Sequence, residues 1–360
     1  MTTRTQGQVH IIGSGLLGTS IGLTLTKLGV DCSLEDISSA SAKLAIDFGA
    51  GRDLKPEDLV SLVVVCVPPD AAAAKVVEAL NRFPSATVTD VASVKSNVLE
   101  QVRTSDVESY RYVGSHPMAG REKGGALNGR PDLFVGRPWV IIVDEATESA
   151  AVSKIEALAL DLGASPVRMT AAEHDDAVAL VSHAPQIVAS LLAGRLTEAE
   201  ELDLSLAGQG LKDTTRIAAS DPALWLQILS ANSSRVAPIL KNFQADLVRV
   251  IAALDAPDST GALATIADVL SSGNQGIARI PGKHGGRNTE YSRIIVMIDD
   301  KPGELARLLT EIGKSGINLE DLALDHASGA LVGLVELSVM PESEARLIEL
   351  LTNNHWKLAG

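Results

Sequence analysis

The sequence is short of cationic and aromatic side chains. It has 31 Lys and Arg residues against 45 Asp and Glu, which gives a net charge of −14 at pH 7. Aromatic residues make up 3% of the chain. Proteins that bind nucleic acids need a basic face for the phosphates, and those that bind single strands also need aromatic platforms for the bases. We therefore expect no nucleic-acid partner.

Cysteines and long apolar runs are also scarce. Cys32 and Cys66 lie in apolar, strand-like stretches, so we expect buried free thiols and no metal site. Residues 1–8 are polar and lack the apolar core of a secretory signal. The apolar run 59–67 ends at two prolines and is too short to span a bilayer. These features predict a cytoplasmic protein with no membrane segment.

The first half of the 360 residues alternates between strand and helix patterns. The predicted strands are 9–12, 62–67, 87–91 and 139–143, and the predicted helices are 16–28, 70–81 and 148–162. The run 62–67 is continuously apolar, which is typical of a parallel strand buried on both faces. Residues 1–169 are therefore predicted to form a Rossmann-like, doubly wound α/β dinucleotide-binding domain.

The second half divides into three parts. Residues 170–280 are rich in Ala and Leu and lack strand patterns, so we expect an all-helical substrate and dimerisation domain. Its helices are too apolar for a monomer surface, which predicts a homodimer. Residues 281–290 have the composition of a linker. Residues 291–360 return to strands and helices in the order βαββα. Its strands are predicted at 293–298, 317–324 and 331–339, and its helices at 302–315 and from Pro341 onward.

The segment GSGLLG, residues 13–18, follows a predicted strand and opens a predicted helix. Its glycines permit a tight turn and a close approach of a pyrophosphate, and the helix N-terminus attracts the phosphate charge. Asp36 lies eighteen residues beyond the last glycine, where a carboxylate binds ribose hydroxyls. We therefore predict a dinucleotide site. The candidate cofactor-binding residues are Gly13, Gly15, Leu16, Leu17, Gly18 and Asp36.

The choice between NAD and NADP is less definite. The carboxylate of Asp36 repels a 2′-phosphate and favours NAD. Ser38, Ser39, Ser41 and Lys43 follow it and could still accept that phosphate.

The segment GSHPMAG, residues 114–120, is the strongest catalytic candidate. His116 follows a strand-like run, and Pro117 restricts both its own backbone and that of the histidine before it. Gly120 allows the loop to turn sharply. A rigid histidine near a nicotinamide ring is suited to acid–base chemistry, although a histidine in such a place can also be purely structural.

Several motifs occur together in one order: GSGLLG, DVASVK ending at Lys95, GSHPMAG, SHAP beginning at Ser182, and LKDTTR ending at Arg216. As a set they resemble the prephenate/arogenate dehydrogenases of tyrosine biosynthesis, over about residues 9–285. The βαββα segment resembles an ACT regulatory domain. The resemblance implies NAD(P)-dependent oxidative decarboxylation of arogenate or prephenate, giving tyrosine or 4-hydroxyphenylpyruvate.

The resemblance also implies roles for individual residues. His116 matches the family's base for the ring hydroxyl, and Ser93 matches the residue that orients it, although a strand-end cap is the simpler interpretation of Ser93. Arg216 matches a carboxylate-binding residue and Lys212 its neighbour, and the spacing of four predicts a shared helix face. Both could instead belong to a solvated face paired with Asp213. The other predicted substrate-binding residues are Ser182, Gln186, Trp225 and, as a gate, Glu122.

Three further positions leave alternatives open. His174 stands beside Asp175 and is either a helix-start cap or a site residue, and His183 is equally ambiguous. Prephenate-using members commonly carry a histidine where this chain has Gln186. A neutral amide can accept a hydrogen bond from the ammonium group of arogenate, so Gln186 favours arogenate or dual use.

The sequence also predicts a regulatory site and leaves two competing functions to consider. Pro302, Gly303 and Asn318 lie at turns of the ACT-like segment, where tyrosine could bind as an effector. A 6-phosphogluconate-type dehydrogenase would need a lysine base and a phosphate clamp that the sequence does not show. A protein that senses NAD and an amino acid without turnover is the alternative from another class.

Overall fold

The computed structural model describes residues 3–120, 124–281, 291–326 and 332–359. Contacts divide the chain into two compact units. The first unit comprises residues 1–194 and 215–242, and the second comprises residues 195–214 and 243–360. Most of the predicted linker, from residue 282 to residue 290, lies outside the described residues.

The first unit is built around a seven-stranded sheet in the order β2-β1-β3-β4-β5-β6-β7. The strands are β1 (Gln8–Ile12), β2 (Cys32–Glu35), β3 (Val60–Val65), β4 (Thr87–Asp90), β5 (Tyr112–Pro117), β6 (Pro138–Ile142) and β7 (Ser165–Met169). The first five strands pair in parallel. Strand β6 pairs antiparallel with β5 and parallel with β7. The predicted Rossmann-like sheet is confirmed, with its last two strands reversed.

Five helices pack on this sheet. They are α1 (Leu16–Lys27), α2 (Ser39–Asp47), α3 (Pro69–Arg82), α4 (Ser96–Arg103) and α5 (Ser149–Asp161). Helix α3 shows why these segments are helical: a proline occupies its first turn, where no N–H partner is needed. Ala72, Val76 and Ala79 recur at helical spacing on its buried face. Its C-terminal end is held by Arg111, whose guanidinium donates to the carbonyl of Leu80 at 3.1 Å.

Parallel strands bring their carboxyl ends to one edge of a sheet, and ligands of such sheets bind beyond that edge. The segments that follow β1 to β5 therefore meet at one edge. They include the predicted glycine loop, Asp36, the DVASVK strand end and the residues after His116. The sheet thus collects motifs that are up to about a hundred residues apart in the chain.

The central part of the chain is helical, as predicted. Its helices are α6 (Ala171–Val178), α7 (Ala184–Arg195), α8 (Glu201–Leu204), α9 (Gln209–Thr215), α10 (Pro222–Ala231), α11 (Ser233–Asp255) and α12 (Ala262–Ala278). Helices α6 and α7 are joined by one wide π turn, Ala179–His183. The segment Ala171–Glu198 is long and apolar enough to cross a membrane by length and composition. Its buried polar residues His174, Asp175 and Gln186 are hydrogen bonded within the protein, which is typical of a core helix.

The C-terminal part contains a separate four-stranded antiparallel sheet in the order β11-β8-β10-β9. Its elements are β8 (Ser292–Asp299), α13 (Glu304–Lys314), β9 (Asp321–His326), β10 (Val332–Val339), α14 (Glu344–Asn353) and β11 (Lys357–Ala359). The predicted βαββα order is confirmed and a sixth element, β11, follows it. Helix α13 begins at Glu304, two residues later than predicted, because Gly303 has a left-handed φ of 95° and caps it. Helices α13 and α14 both contribute to the buried core that includes Val296 of β8.

Candidate active site

The glycine loop makes a tight turn between β1 and α1. Gly13 has a φ of 101°, and a Cβ there would lie 2.4 Å from the carbonyl oxygen of Cys66. A Cβ on Gly18 would lie 1.9 Å from the carbonyl oxygen of Gly13, so α1 can pack this closely only with glycine. A Cβ on Gly15 would meet nothing within 4 Å. The first and third glycines therefore serve the turn and the packing, and the second leaves open space for a ligand.

Asp36 faces this loop from the end of β2. Its carboxylate accepts hydrogen bonds from the backbone N–H of Ser14 at 2.7 Å and from the Ser14 hydroxyl at 2.9 Å. It also accepts one from the backbone N–H of Ser38 at 2.8 Å. Leu16 and Leu17 open helix α1, where unpaired N–H groups favour an anion. The six predicted cofactor residues therefore lie together at one end of α1.

His116 lies within strand β5, which continues to Pro117, rather than in the loop after a strand as predicted. The ladder with β6 therefore holds its backbone, with His116 directly opposite Val140. Its Nδ1 atom is 2.9 Å from Nε2 of His174, and the two rings meet edge to face. The side chain is half-buried. A ring held by a sheet ladder on one side and a hydrogen bond on the other has a fixed orientation.

The role predicted for Ser93 is not seen in this structure. No hydrogen bond joins Ser93 to His116 among the described residues, and Nδ1 of His116 pairs with His174. His174 is also not a helix-start cap. Thr170 and Glu173 form the capping box of α6 instead, with the Thr170 hydroxyl accepting from the Glu173 N–H at 3.2 Å. The side chain of His174 therefore takes no part in the cap and is hydrogen bonded to His116.

Asp175 connects this histidine pair to helix α4. Its carboxylate is 2.8 Å from Nδ1 of His174 and also accepts from the backbone N–H groups of Lys95 and Ser96, both at 2.8 Å. Burial raises the pKa of Asp175, but hydrogen bonds from His174 and Ser96 outweigh it and bring the pKa to about 2. The carboxylate is thus ionised at neutral pH and can only accept hydrogen bonds.

The charge of Asp175 determines which nitrogen atoms carry protons in the hydrogen-bonded row His116, His174 and Asp175. Because the Asp175 carboxylate must accept, Nδ1 of His174 donates, and Nε2 of a neutral His174 is left as an acceptor. Nδ1 of His116 then donates to it. The lone pair of His116 is consequently on Nε2, the nitrogen that is not used by His174. This is the arrangement of a histidine poised to accept a proton.

A buried polar cluster lies behind His116. Lys95 forms an ion pair with Asp90 and donates to the carbonyl of Ser115 at 2.8 Å, and Tyr112 donates to Asp90 at 2.7 Å. Burial lowers the pKa of Lys95, and the charge of Asp90 opposes that shift. Burial holds the pKa of His116 well below its usual value, and the nearby Lys95 ammonium lowers it further. His116 is therefore a neutral imidazole at neutral pH.

The π turn between α6 and α7 carries further site candidates. His183 ends it, is buried, and has a pKa lowered to about 4 by burial. Its Nδ1 lies 3.2 Å from Nδ2 of Asn232, which also donates to the carbonyl of Asp175 at 2.8 Å. Trp225 meets the His183 ring edge to face at 6.0 Å. Ser182 lies on the same turn and is half-buried. Single π turns frequently occur at functional sites.

Gln186 is buried one turn further along α7. Its Nε2 donates to the hydroxyl of Ser220 at 2.7 Å and to that of Ser190 at 3.4 Å. No hydrogen bond reaches its Oε1 among the described residues. As oriented here, the amide therefore presents its acceptor rather than its donor for further contacts.

A cavity of about 530 Å³ opens beside the end of β5. We call it the arginine cavity. Its lining is Met118, Ala119, Gly120, Arg130, Asp132, Leu133, Arg137 and Arg216. It begins two residues beyond His116 and contains three guanidinium groups against one carboxylate. Such a cavity is suited to an anionic ligand.

Three predicted substrate residues need a correction or lie outside the described residues. Helix α9 ends at Thr215 and Arg216 begins a separate short turn, so the shared helix face predicted for Lys212 and Arg216 is wrong. The two residues also belong to different compact units. Glu122 lies outside the described residues. Of the predicted regulatory residues, Gly303 caps α13 and Asn318 donates to Glu320 at 2.7 Å.

Several residues of this cluster were left open by the sequence or were not predicted as site residues. His174, Asp175 and Lys95 stood in motifs that were recognised, but their roles depend on contacts across the fold. Asn232 and Arg137 had no sequence signal that distinguished them from other surface or helix residues. No group of three or more His, Cys, Asp or Glu that could hold a metal ion occurs in the described part of the chain.

Comparison with known proteins identifies the family. A model of the nucleotide-binding domain of prephenate dehydrogenases matches residues 21–168, and a model of their dimerization domain matches residues 170–267. A probable prephenate dehydrogenase of Streptomyces niveus is 34% identical over 353 residues, covering 96% of this chain and 98% of that protein. A cyclohexadienyl dehydrogenase of Zymomonas mobilis is 30% identical over 264 residues, covering 69% of this chain and 89% of that protein.

Solved structures show the same fold. Prephenate dehydrogenase from A. aeolicus, in complex with hydroxyphenyl propionate and NAD+, superposes with a TM-score of 0.65 at 24% identity, covering 75% of this chain and 98% of that one. Synechocystis arogenate dehydrogenase superposes with a TM-score of 0.60 at 23% identity, covering 74% of this chain and 99% of that one. Taken with the matches to both domain models, these findings show that this chain belongs to the prephenate dehydrogenase family.

Proposed function

We propose that this protein is an NAD-dependent dehydrogenase that oxidatively decarboxylates arogenate, prephenate or both, with His116 as the base for the ring hydroxyl. The observation that carries the proposal is the hydrogen-bonded chain from His116 through His174 to Asp175. It lies at the edge of the sheet where the dinucleotide loop also lies. A binding protein without turnover has no need of such an oriented, neutral imidazole.

The residues present fit a dinucleotide. The open space at Gly15 and the N–H groups of Leu16 and Leu17 suit the pyrophosphate, and Asp36 suits the adenine ribose. When bound, NAD supplies the acceptor for the hydride that leaves the hydroxyl-bearing ring carbon.

The cofactor preference follows from the surroundings of Asp36. Its carboxylate repels a 2′-phosphate, and two of the four groups that could accept that phosphate have partners within the protein. The Ser38 hydroxyl accepts the N–H of Ser41 as a helix cap, and Lys43 pairs with Asp47 at 3.2 Å. We therefore propose NAD rather than NADP.

His116 acts on the substrate through Nε2. As hydride leaves the ring carbon, this nitrogen withdraws the hydroxyl proton, and the oxygen develops carbonyl character. The ring carboxylate then leaves as CO₂, its bonding electrons enter the ring, and the proton returns to the oxygen to complete an aromatic phenol. The hydrogen bond from Nδ1 of His116 to His174 stabilises the imidazolium that forms, because the Asp175 charge lies behind it.

Arg216 and Gln186 are proposed to bind the charged groups of the substrate. Arg216 lines the arginine cavity, and its planar guanidinium suits a substrate carboxylate. Gln186 holds its Nε2 on Ser220, which leaves Oε1 to accept from an ammonium group. That orientation favours arogenate over prephenate.

One assay tests the reaction and both preferences. Purified protein is mixed with arogenate or prephenate and with NAD or NADP, and absorbance at 340 nm is followed. We expect reduction of NAD with arogenate at least as fast as with prephenate. Binding of NAD and tyrosine with no change in absorbance for any pair would indicate an amino-acid sensor instead. Faster reduction of NADP would contradict the interpretation of Asp36.

A further inference from the structure

The arginine cavity has more guanidinium groups than are needed to bind a single carboxylate of a substrate. Arg130, Arg137 and Arg216 line it together with the single acid Asp132, in a protein whose net charge is −14. Arg130 is held by Asp132 through two contacts, at 2.8 and 2.6 Å. That pair is a local ion pair between residues two apart in the chain. Arg137 is the guanidinium group of this cavity whose purpose needs an explanation.

The backbone of Arg137 is fixed on both sides. Its N–H donates to the carbonyl of Phe134 at 3.0 Å, and its own carbonyl accepts from the N–H of Ser165 at 2.8 Å. The next residue, Pro138, accepts from the N–H of Met118 at 2.8 Å, which ties this segment to the chain leaving His116. The backbone of Arg137 is therefore held in place close to the end of β5.

The side chain of Arg137 differs from those of Arg130 and Arg168 in its hydrogen bonding. It is exposed and makes no hydrogen bond or ion pair among the described residues. Arg168, on β7 of the same sheet, shows the alternative: it is exposed and paired with Glu156 at 2.6 and 2.8 Å. A guanidinium on a fixed backbone, in a cavity and with no acceptor among the described residues, can receive an external carboxylate with two parallel hydrogen bonds.

We infer that Arg137 is a specificity-determining residue that binds one of the two carboxylates of the substrate, while Arg216 binds the other. The inference rests on the proposed function, in which the substrate carries a ring carboxylate and a side-chain carboxylate. Two guanidinium groups in one cavity match two carboxylates on one small molecule. A monoanionic substrate would need only one of them.

The test compares Arg137→Gln and Arg137→Lys with a matched control, Arg168→Gln, in the full-length protein. For Arg137→Gln we expect a KM for arogenate or prephenate raised on the order of 10-fold or more, because a charge-assisted bidentate contact is lost. The kcat should stay within about twofold, because this contact exists in both the ground state and the transition state. Arg137→Lys should restore part of the loss through its charge, although not its bidentate geometry. The control should have the KM of the wild type.

Binding of NAD, followed by fluorescence or calorimetry, distinguishes the sources of the anion. We expect its Kd to be unchanged in Arg137→Gln. A weakened NAD affinity with an unchanged substrate KM would overturn the inference by assigning Arg137 to a cofactor phosphate. Unchanged values of both would also overturn it, and would make Arg137 a solvated surface residue. If the wild type turned over neither substrate, the proposed function itself would fail, which is a result distinct from either of these.

Discussion

Nε2 of His116 is the proton acceptor on which the proposed chemistry depends. The nitrogen is available because Nδ1 is used by His174, and it is unprotonated because burial and the nearby Lys95 ammonium depress the pKa of the ring. A general base must be neutral before it accepts a proton, so a depressed pKa extends its activity toward acid. We expect kcat/KM to be level near neutral pH and to fall only below the usual histidine range around pH 6.5.

Replacing the base gives the first prediction. His116→Asn should lower kcat about 10²–10⁴-fold and leave the Kd for NAD unchanged, because the lost group transfers a proton and does not hold the cofactor. The acid limb of the pH profile should disappear with the imidazole. His355→Asn is the matched control, since His355 is exposed and has a φ of 61° that asparagine readily adopts. Near-normal turnover by His116→Asn would remove His116 from the mechanism.

Gln186 gives a second prediction at this scale. Gln186→His should improve prephenate relative to arogenate by about 1–3 kcal/mol in relative kcat/KM, the usual effect of one changed polar contact. The reason is that the acceptor Oε1 is replaced by a ring better suited to a keto acid. Gln101→His, on the exposed face of α4, should leave the ratio unchanged. A wild type that used prephenate alone would show that Gln186 does not set the choice.

At the scale of elements, helices α4 and α6 are joined by one carboxylate. Asp175 lies in α6 and accepts the backbone N–H groups of Lys95 and Ser96 at the start of α4. The same carboxylate orients His174. A helix N-terminus favours a negative charge, and here that charge comes from another helix. The geometry of the base and the docking of α4 therefore depend on the same side chain.

Asp175→Asn should affect stability and catalysis together. The folded pKa of about 2 lies below the usual value of 3.8, so Asp175 contributes about 2 kcal/mol to unfolding free energy above pH 4. That contribution is lost as pH falls toward 2, and urea unfolding at pH 7 should show its loss in the variant. The kcat should fall about tenfold or more, and the acid limb should move to lower pH, because Asp175 raises the pKa of His116.

The neighbouring residue provides the control. Asp176 is exposed and pairs with Arg235 at 2.7 Å, so Asp176→Asn should change unfolding free energy by less than about 1 kcal/mol and leave the pH profile unchanged. If Asp175→Asn reduced stability while the kcat and the acid limb stayed as in the wild type, Asp175 would be a helix cap alone.

At the scale of the whole molecule, the C-terminal sheet is a candidate regulatory unit. We propose that it is ACT-like and binds tyrosine near Pro302, Gly303 and Asn318. Its α13 begins after the left-handed Gly303, and the first N–H groups of a helix can bind a carboxylate. A ligand there would act on catalysis only through a difference in affinity between two states of the protein.

Tyrosine titrations of the full-length protein test this unit. We expect tyrosine to change activity through a coupling of about 1–3 kcal/mol and Asn318→Ala to weaken that effect. Asn353→Ala, exposed on α14, should respond like the wild type. Equal inhibition of all three, competitive with the substrate, would place tyrosine in the active site as a product and leave the C-terminal sheet without this role.

The sequence by itself determined the features that depend on neighbours in the chain. The roles of Gly13, Gly15 and Gly18 follow from backbone geometry over six residues. The structure shows the turn at Gly13, the close packing at Gly18 and open space at Gly15. The apolar run of β3 and the alternating elements predicted the Rossmann-like sheet for the same reason. The separate C-terminal sheet was predicted except for β11, because three residues are too few for a periodic pattern.

Only the tertiary structure decided which distant side chains meet. His116 and His174 are 58 residues apart, and the sequence alone assigned Ser93 as the partner and left His174 as a candidate cap. Strand order and helix packing bring the two rings within hydrogen-bond distance, and no local pattern encodes that contact. Arg137 likewise reads as an ordinary surface arginine. It becomes a candidate substrate-binding residue only because the fold places it in a cavity beside the end of β5, where its side chain pairs with no carboxylate among the described residues.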